Sequence, residues 1–162
     1  MKAALLIIDM QKDCYEKCKI KDEFDGAIDR INKAASLFRS KGLPVAVVQD
    51  EGVGGGPGHR GFEVVDTIKR APTDIVIHKQ YNNAFCKTAL ERLLKEQNVG
   101  FVVVSGYAAE YCVNFTLNGA LECDFHASLL QNGVAGGSLE DIRRVQMLRP
   151  VVSLQALEFM LG

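Results

Sequence analysis

The chain has 162 residues, 48% of them apolar and 24% charged, with a formal net charge of −1. That length suits a single domain over residues 1–162 with a real core. Lys and Arg are dispersed, which excludes the basic stripe of a nucleic-acid or anionic-membrane binder, and the longest apolar runs, about six residues, fall far short of the ~20 that span a bilayer.

The first apolar run, Ala3 to Ile8, has the β-rich character of a buried strand and stops at Asp9. Asp9 also interrupts it before it could serve as a signal-peptide core, so a cytoplasmic protein is expected. Cys14 and Cys18 follow four residues apart. No second Cys/His pair lies at a spacing that would complete a structural zinc site. Five cysteines, an odd number without a secretion signal, read as free thiols rather than as a disulfide framework.

From Phe24 to Lys41 the apolar residues Phe24, Ile28, Ile31, Ala34, Ala35 and Phe38 share one helical face, and Gly42 is placed to end the helix. A second strand is expected at about 44–49. Glu51 to Gly61 then holds six glycines and cannot be the interior of an element. It lacks the spacing of a phosphate-cradling loop and is expected to be a flexible flap beside a site or a subunit contact. Further strands are expected at about 74–78, 99–104 and 125–130, with a weaker one near 149–152. Helices are expected at Cys86–Gln97, from Ser138 (the first residue of a capping box) through about Met147, and from Leu154 to Leu161 behind Ser153. The strands are almost continuously apolar, as strands covered on both faces are. Strands alternating with helices imply an α/β fold with a mostly parallel sheet.

In such a fold the carboxyl ends of the strands lie on one edge, where ligands bind. Three chemically potent residues fall there: Asp9, Lys79 after Asp74–His78, and Cys112, separated by five residues from the strand Gly100–Gly106. Cys112 is expected to open a helix running to Leu121, where the helix dipole and free N–H groups would lower its pKa. His78 should face away from Lys79 by strand alternation, and His126 should be satisfied within its strand. Asp9 as a turn cap, Lys79 as a surface lysine and Cys112 as a small buried hydrophobe are the plain alternatives for each residue taken singly.

Three segments together carry a resemblance. Leu5-Leu6-Ile7-Ile8-Asp9-Met10-Gln11, Lys79 followed by Asn83-Ala84-Phe85, and Ser105-Gly106-Tyr107-Ala108-Ala109-Glu110-Tyr111-Cys112-Val113 resemble the isochorismatase-like cysteine hydrolases, which include nicotinamidases and N-carbamoylsarcosine amidohydrolases. The resemblance runs from about residue 3 to residue 152. It implies a three-layer α-β-α, Rossmann-like fold with a six-stranded parallel sheet and an Asp9–Lys79–Cys112 triad. It also implies a cis bond between Tyr107 and Ala108, and an oxyanion hole from the N–H groups of Ala108 and Cys112. Gln11, Tyr81, Phe85, Tyr107 and Tyr111 are the expected pocket residues.

The implied activity is hydrolysis of a small amide or related C–N bond through a thioester, without a cofactor. Metal-dependent nicotinamidases resemble this chain but carry Asp-x-His after the second strand. Here that stretch reads Gln49-Asp50-Glu51-Gly52, leaving Asp50 and His59, fewer than the three protein ligands usual for catalytic zinc, so no metal is expected. Cys112 argues against the enol-ether hydrolysis of isochorismatases proper, which do not keep the cysteine. The insertions that build lids in larger relatives are not seen, so the pocket is expected to be open or completed by a neighbouring subunit, in a homodimer or larger assembly. Two other classes stay open. One is a catalytically idle family member serving as a binding or scaffold protein. The other is a flavodoxin-like or nucleotide-binding domain, against which the missing Gly-rich strand-to-helix turn counts.

Overall fold

The computed structural model describes residues 2–162. Six strands form one sheet: β1 (Lys2–Ile8), β2 (Val45–Asp50), β3 (Ile75–Lys79), β4 (Val99–Gly106), β5 (His126–Val134) and β6 (Val151–Val152). Their order across the sheet is β3-β2-β1-β4-β5-β6, and every pairing is parallel. The helices are α1 (Lys12–Lys17), α2 (Lys21–Ser40), α3 (Leu90–Glu96), α4 (Asn114–Glu122), α5 (Leu139–Leu148) and α6 (Leu154–Leu161).

Side chains alternate across the central strand. Ala4, Leu6 and Ile8 pack with Leu90, Leu94, Leu117, Ile142 and Val145 from α3, α4 and α5. Ala3, Leu5 and Ile7 pack with Phe24, Ile28, Ile31, Phe38 and Leu157 from α2 and α6, together with Cys14 of α1. The result is a three-layer α-β-α, Rossmann-like architecture, and β1 is apolar at nearly every position because both of its faces are covered. No helix among the described residues is long and apolar enough to cross a membrane.

Local chemistry sets the element ends. Helix α2 finishes at Gly42, whose φ of +63° lets Leu43 N–H reach back to the Phe38 carbonyl at 2.9 Å. Ser138 Oγ accepts from Asp141 N–H and Ser153 Oγ from Ala156 N–H, capping α5 and α6. Helix α3 begins later than Cys86, where the apolar pattern placed its start. Asn83 Oδ1 accepts from Phe85 N–H at 2.9 Å, and Lys87 adopts a φ of +55°. Both consume that stretch in turns. Strand β5 is longer than 125–130 and carries an irregularity in its pairing with β4 between Val104 and Gly106. His126, expected to be satisfied within the strand, is instead exposed at its first position.

The glycine-rich segment folds as successive turns, with Gly56 N–H donating to Val53, His59 to Gly56 and Phe62 to His59. Gly54 and Gly61 touch so closely that a Cβ on Gly54 would fall 2.1 Å from the Gly61 carbonyl carbon. The chain order reverses between β1 and β4, and in open sheets of this kind the carboxyl ends of the strands at such a reversal are where ligands bind.

Candidate active site

Asp50 and Lys79 are register partners at the ends of β2 and β3, so their side chains leave the same face of the sheet. His78 lies on the other face, edge-on to Phe62 with ring centroids 5.1 Å apart. Asp9 is turned into the same space by a backbone in the left-handed region, φ +49°. Its N–H remains in the ladder with the Val48 carbonyl at 2.9 Å, while its own carbonyl accepts from Gln11 N–H at 2.8 Å. This tight turn brings the carboxylate over the strand ends instead of letting it continue along β1.

The sulfur arrives from the segment that follows β4, on the other side of β1 from β2 and β3. Gly106 ends β4 with φ +113°, and a Cβ there would lie 2.1 Å from the Ile8 carbonyl oxygen, so only glycine fits. The Tyr107–Ala108 peptide is cis. The chain then makes one widened, π-helical turn over Ala109–Val113 before α4 begins. The Ala108 carbonyl accepts from Tyr111 N–H at 3.0 Å and Val113 N–H at 3.1 Å. Among the described residues, the Ala108 N–H donates to no protein acceptor. Cys112 sits inside this turn rather than at the first residue of the helix.

The Lys79 ammonium is the centre of the cluster. Its Nζ lies 2.6 Å from Asp50 Oδ2, 2.8 Å from Asp9 Oδ2 and 3.4 Å from Cys112 Sγ. An ammonium has three N–H donors, and here it has three acceptors. Asp50 Oδ1 is in turn held by Gly52 N–H at 2.8 Å. Asp9 Oδ1 is buried without a hydrogen-bond partner among the described residues. The Asp9 carboxylate, the Asp50 carboxylate and the Cys112 sulfur offer atoms that all lie within 4.8 Å of one another. Cys112 Sγ also approaches Asn82 Oδ1 at 3.6 Å.

Burial dominates the electrostatics. It pushes the Asp9 carboxyl up to about 6 against the pull of Lys79. Burial works against the charge of Lys79 too, but the negative charge of Asp9, that of a Cys112 thiolate and the hydrogen bonds to Asp50 and Asp9 outweigh it. The ammonium is therefore held above its usual range. Burial and the neighbouring Asp9 charge push the Cys112 thiol up to about 12, although Lys79 opposes them. This overturns the expectation of a thiol acidified at a helix N-terminus: at neutral pH the proton rests on sulfur while Asp9 is largely ionised.

Of the expected pocket residues, Tyr81 and Tyr111 are exposed, at 43% and 59%, and the Tyr81 hydroxyl accepts from Lys87 Nζ at 3.0 Å. The other three are spent elsewhere. The Gln11 amide is fully buried, with Nε2 donating to the Asp50 and Phe62 carbonyls and Oε1 accepting from Asp50 N–H at 2.8 Å. It clamps the end of β2 and presents nothing to a ligand. Phe85 packs on Phe125 in the core. Tyr107 lies against Phe24 on the α2 face, ring centroids 5.6 Å apart. Sequence reasoning missed the contact of Asp50 with Lys79, for which parallel register is the only signal, and the approach of Asn82 to the thiol.

The residues present do not fit a metal site. A cation already lies between the two carboxylates, the second Asp50 oxygen is taken by a backbone N–H, and His59 does not join the group formed by Asp9, Asp50 and Cys112.

Comparison with known proteins finds relatives in sequence and in fold. YddQ, an uncharacterized isochorismatase family protein of Bacillus subtilis, is 29% identical over 146 residues, covering 86% of this chain and 81% of its own. The crystal structure of N-carbamoylsarcosine amidase from Thermoplasma acidophilum superposes with a TM-score of 0.82 at 25% identity, covering 94% of this chain and 95% of that one. The pyrazinamidase of Pyrococcus horikoshii, solved in complex with zinc, gives a TM-score of 0.79 at 25% identity over 95% of this chain and 99% of that one. The family model of the isochorismatase domain matches residues 3–152. The chain belongs to the isochorismatase family, whose members include amide hydrolases.

Proposed function

We propose that the chain is a cysteine hydrolase that cleaves the C–N bond of a small amide or related compound through a thioester on Cys112. The observation that carries this reading is the pair of groups around the sulfur: a buried carboxylate oxygen of Asp9 with no hydrogen-bond partner among the described residues, and an ammonium at 3.4 Å.

In the proposed reaction the Cys112 S–H proton passes to Asp9 Oδ1 as sulfur bonds to the substrate carbonyl carbon. A thiol that holds its proton to about 12 requires this transfer to be coupled to the attack. Lys79 stabilises the charge that develops on sulfur. The electron pair displaced onto the carbonyl oxygen is held by the N–H groups of Ala108 and Cys112, a type of interaction worth about 3–4 kcal/mol per donor. Collapse of the adduct breaks the C–N bond, and Asp9 returns its proton to the departing nitrogen. Water then adds to the thioester and gives a proton to Asp9. The C–S bond breaks, and the thiolate recovers that proton from Asp9. Substrate lies against the exposed rings of Tyr81 and Tyr111.

A screen of small amides and ureas for ammonia release tests this reading, with Cys112→Ala as the control. Release by the native protein that disappears in the variant is expected. Undiminished release by Cys112→Ala would overturn it.

A further inference from the structure

Asp50 belongs to no expected triad, yet its carboxylate makes the shortest of the three contacts to the Lys79 ammonium. Its own position is fixed at every polar atom. The backbone N–H and carbonyl are held by the Gln11 side chain, Oδ1 by Gly52 N–H and Oδ2 by Lys79. The Lys79 side chain is 0% exposed, so its ammonium takes its orientation from the protein acceptors around it. With two of its N–H groups drawn to Asp50 and Asp9, the third is left for sulfur.

We propose that Asp50 is a positioning residue: it locks the Lys79 ammonium so that one N–H faces Cys112 Sγ, and its negative charge opposes the ionisation of Asp9. The inference rests on the reading of Asp9 as the base for Cys112. The arrangement places a cation of the protein itself between two carboxylates and makes Lys79 a fixed charge, leaving proton movement to Asp9.

The groups that face Asp9 are Lys79 from β3, Asp50 from β2, Cys112 from the π-helical turn and Cys14 from α1. Among these only Asp50 adds a negative charge at neutral pH, since burial pushes the Cys14 thiol, like that of Cys112, up to about 12. Removing that charge lets Lys79 act on Asp9 alone and makes Asp9 more acidic.

The test needs no substrate. Alkylation of Cys112 by iodoacetamide is followed by peptide mass spectrometry across the acid range. In the native protein the rate rises as Asp9 ionises. In Asp50→Asn, which keeps an oxygen for Gly52 N–H, the midpoint moves to lower pH. Asp50→Ser, the second neutral variant, moves it the same way, and Asp50→Glu, which keeps the charge, stays near the native midpoint. A midpoint unmoved in the neutral variants, with or without slower labelling, overturns the proposal, as does loss of the folded state in both. Asp9→Asn separates the two readings. If the acid limb persists there, Asp9 is not the base. If it vanishes while the Asp50 variants stay unshifted, only the role of Asp50 fails.

Discussion

Lys79 and Asp9 form a buried ion pair, Nζ to Oδ2 2.8 Å, with side chains only 0% and 3% exposed. The two come from strands separated in the sheet by β2. The pair is thus a tertiary contact that exists only when three strands are in register, and it ties the chemistry of the site to the integrity of the fold.

Removing one partner of a buried pair leaves the other charge uncompensated, which costs about 3–5 kcal/mol. Lys79→Met would leave the Asp9 and Asp50 carboxylates facing each other without their shared cation. We expect urea unfolding at neutral pH to show a loss within that range. A midpoint equal to that of the native protein would mean that water reaches the pair freely.

The pH dependence of thiol reactivity has a definite sign. Asp9 takes a proton only when ionised, and burial places its titration at about 6. Labelling of Cys112 should therefore rise with pH through that value and level off, with a second rise only in strongly alkaline solution as the thiol itself ionises near 12. A single rise centred on the free-thiol value of about 8.5 would show that Cys112 reacts without help from Asp9.

Gly106 should tolerate nothing larger. A Cβ there meets the Ile8 carbonyl oxygen at 2.1 Å and the backbone holds φ +113°. Displacing β1 from β4 would disturb both Asp9 and Cys112. Gly106→Ala is expected to cost more than about 1 kcal/mol, read as a lowered melting temperature, and to slow Cys112 labelling. A variant as stable and as reactive as the native protein would contradict the close approach.

Gln11 gives a contrasting case. Gln11→Leu would strip partners from the Asp50 N–H and from the carbonyls of Asp50 and Phe62. Unsatisfied buried groups cost about 1–3 kcal/mol, so a loss of that order in chemical denaturation is expected. For an accepted substrate, kcat should fall with KM little changed, because the side chain meets no ligand. A selective rise in KM would restore Gln11 to the pocket.

The α/β class and the parallel sheet were legible because nearly continuous apolar strands alternate with amphipathic helices. Asp9, Lys79 and Cys112 stood out because each falls at or just beyond a strand end, and one edge of such a sheet collects those positions. What the sequence hid depends on geometry that periodicity does not encode. The turn around Asn83 shortened α3 through a side-chain hydrogen bond. The aromatic residues divided between core and surface according to which side of a turn they left, so Phe85 and Tyr107 resembled pocket walls but pack inside. The thiol pKa went the opposite way to the helix-dipole argument because Cys112 lies within a widened turn, partly buried and beside a carboxylate. Asp50 was visible only as a remnant of a metal motif, since its contact with Lys79 requires knowing that β2 and β3 are neighbours.

The covalent intermediate gives the most direct test. Protein quenched during turnover of an amide that releases ammonia should carry an added mass equal to the acyl fragment, on the peptide containing Cys112, and Cys112→Ala should carry none. Steady turnover with no adduct on that peptide, undiminished in Cys112→Ala, would contradict the assignment of the sulfur as nucleophile.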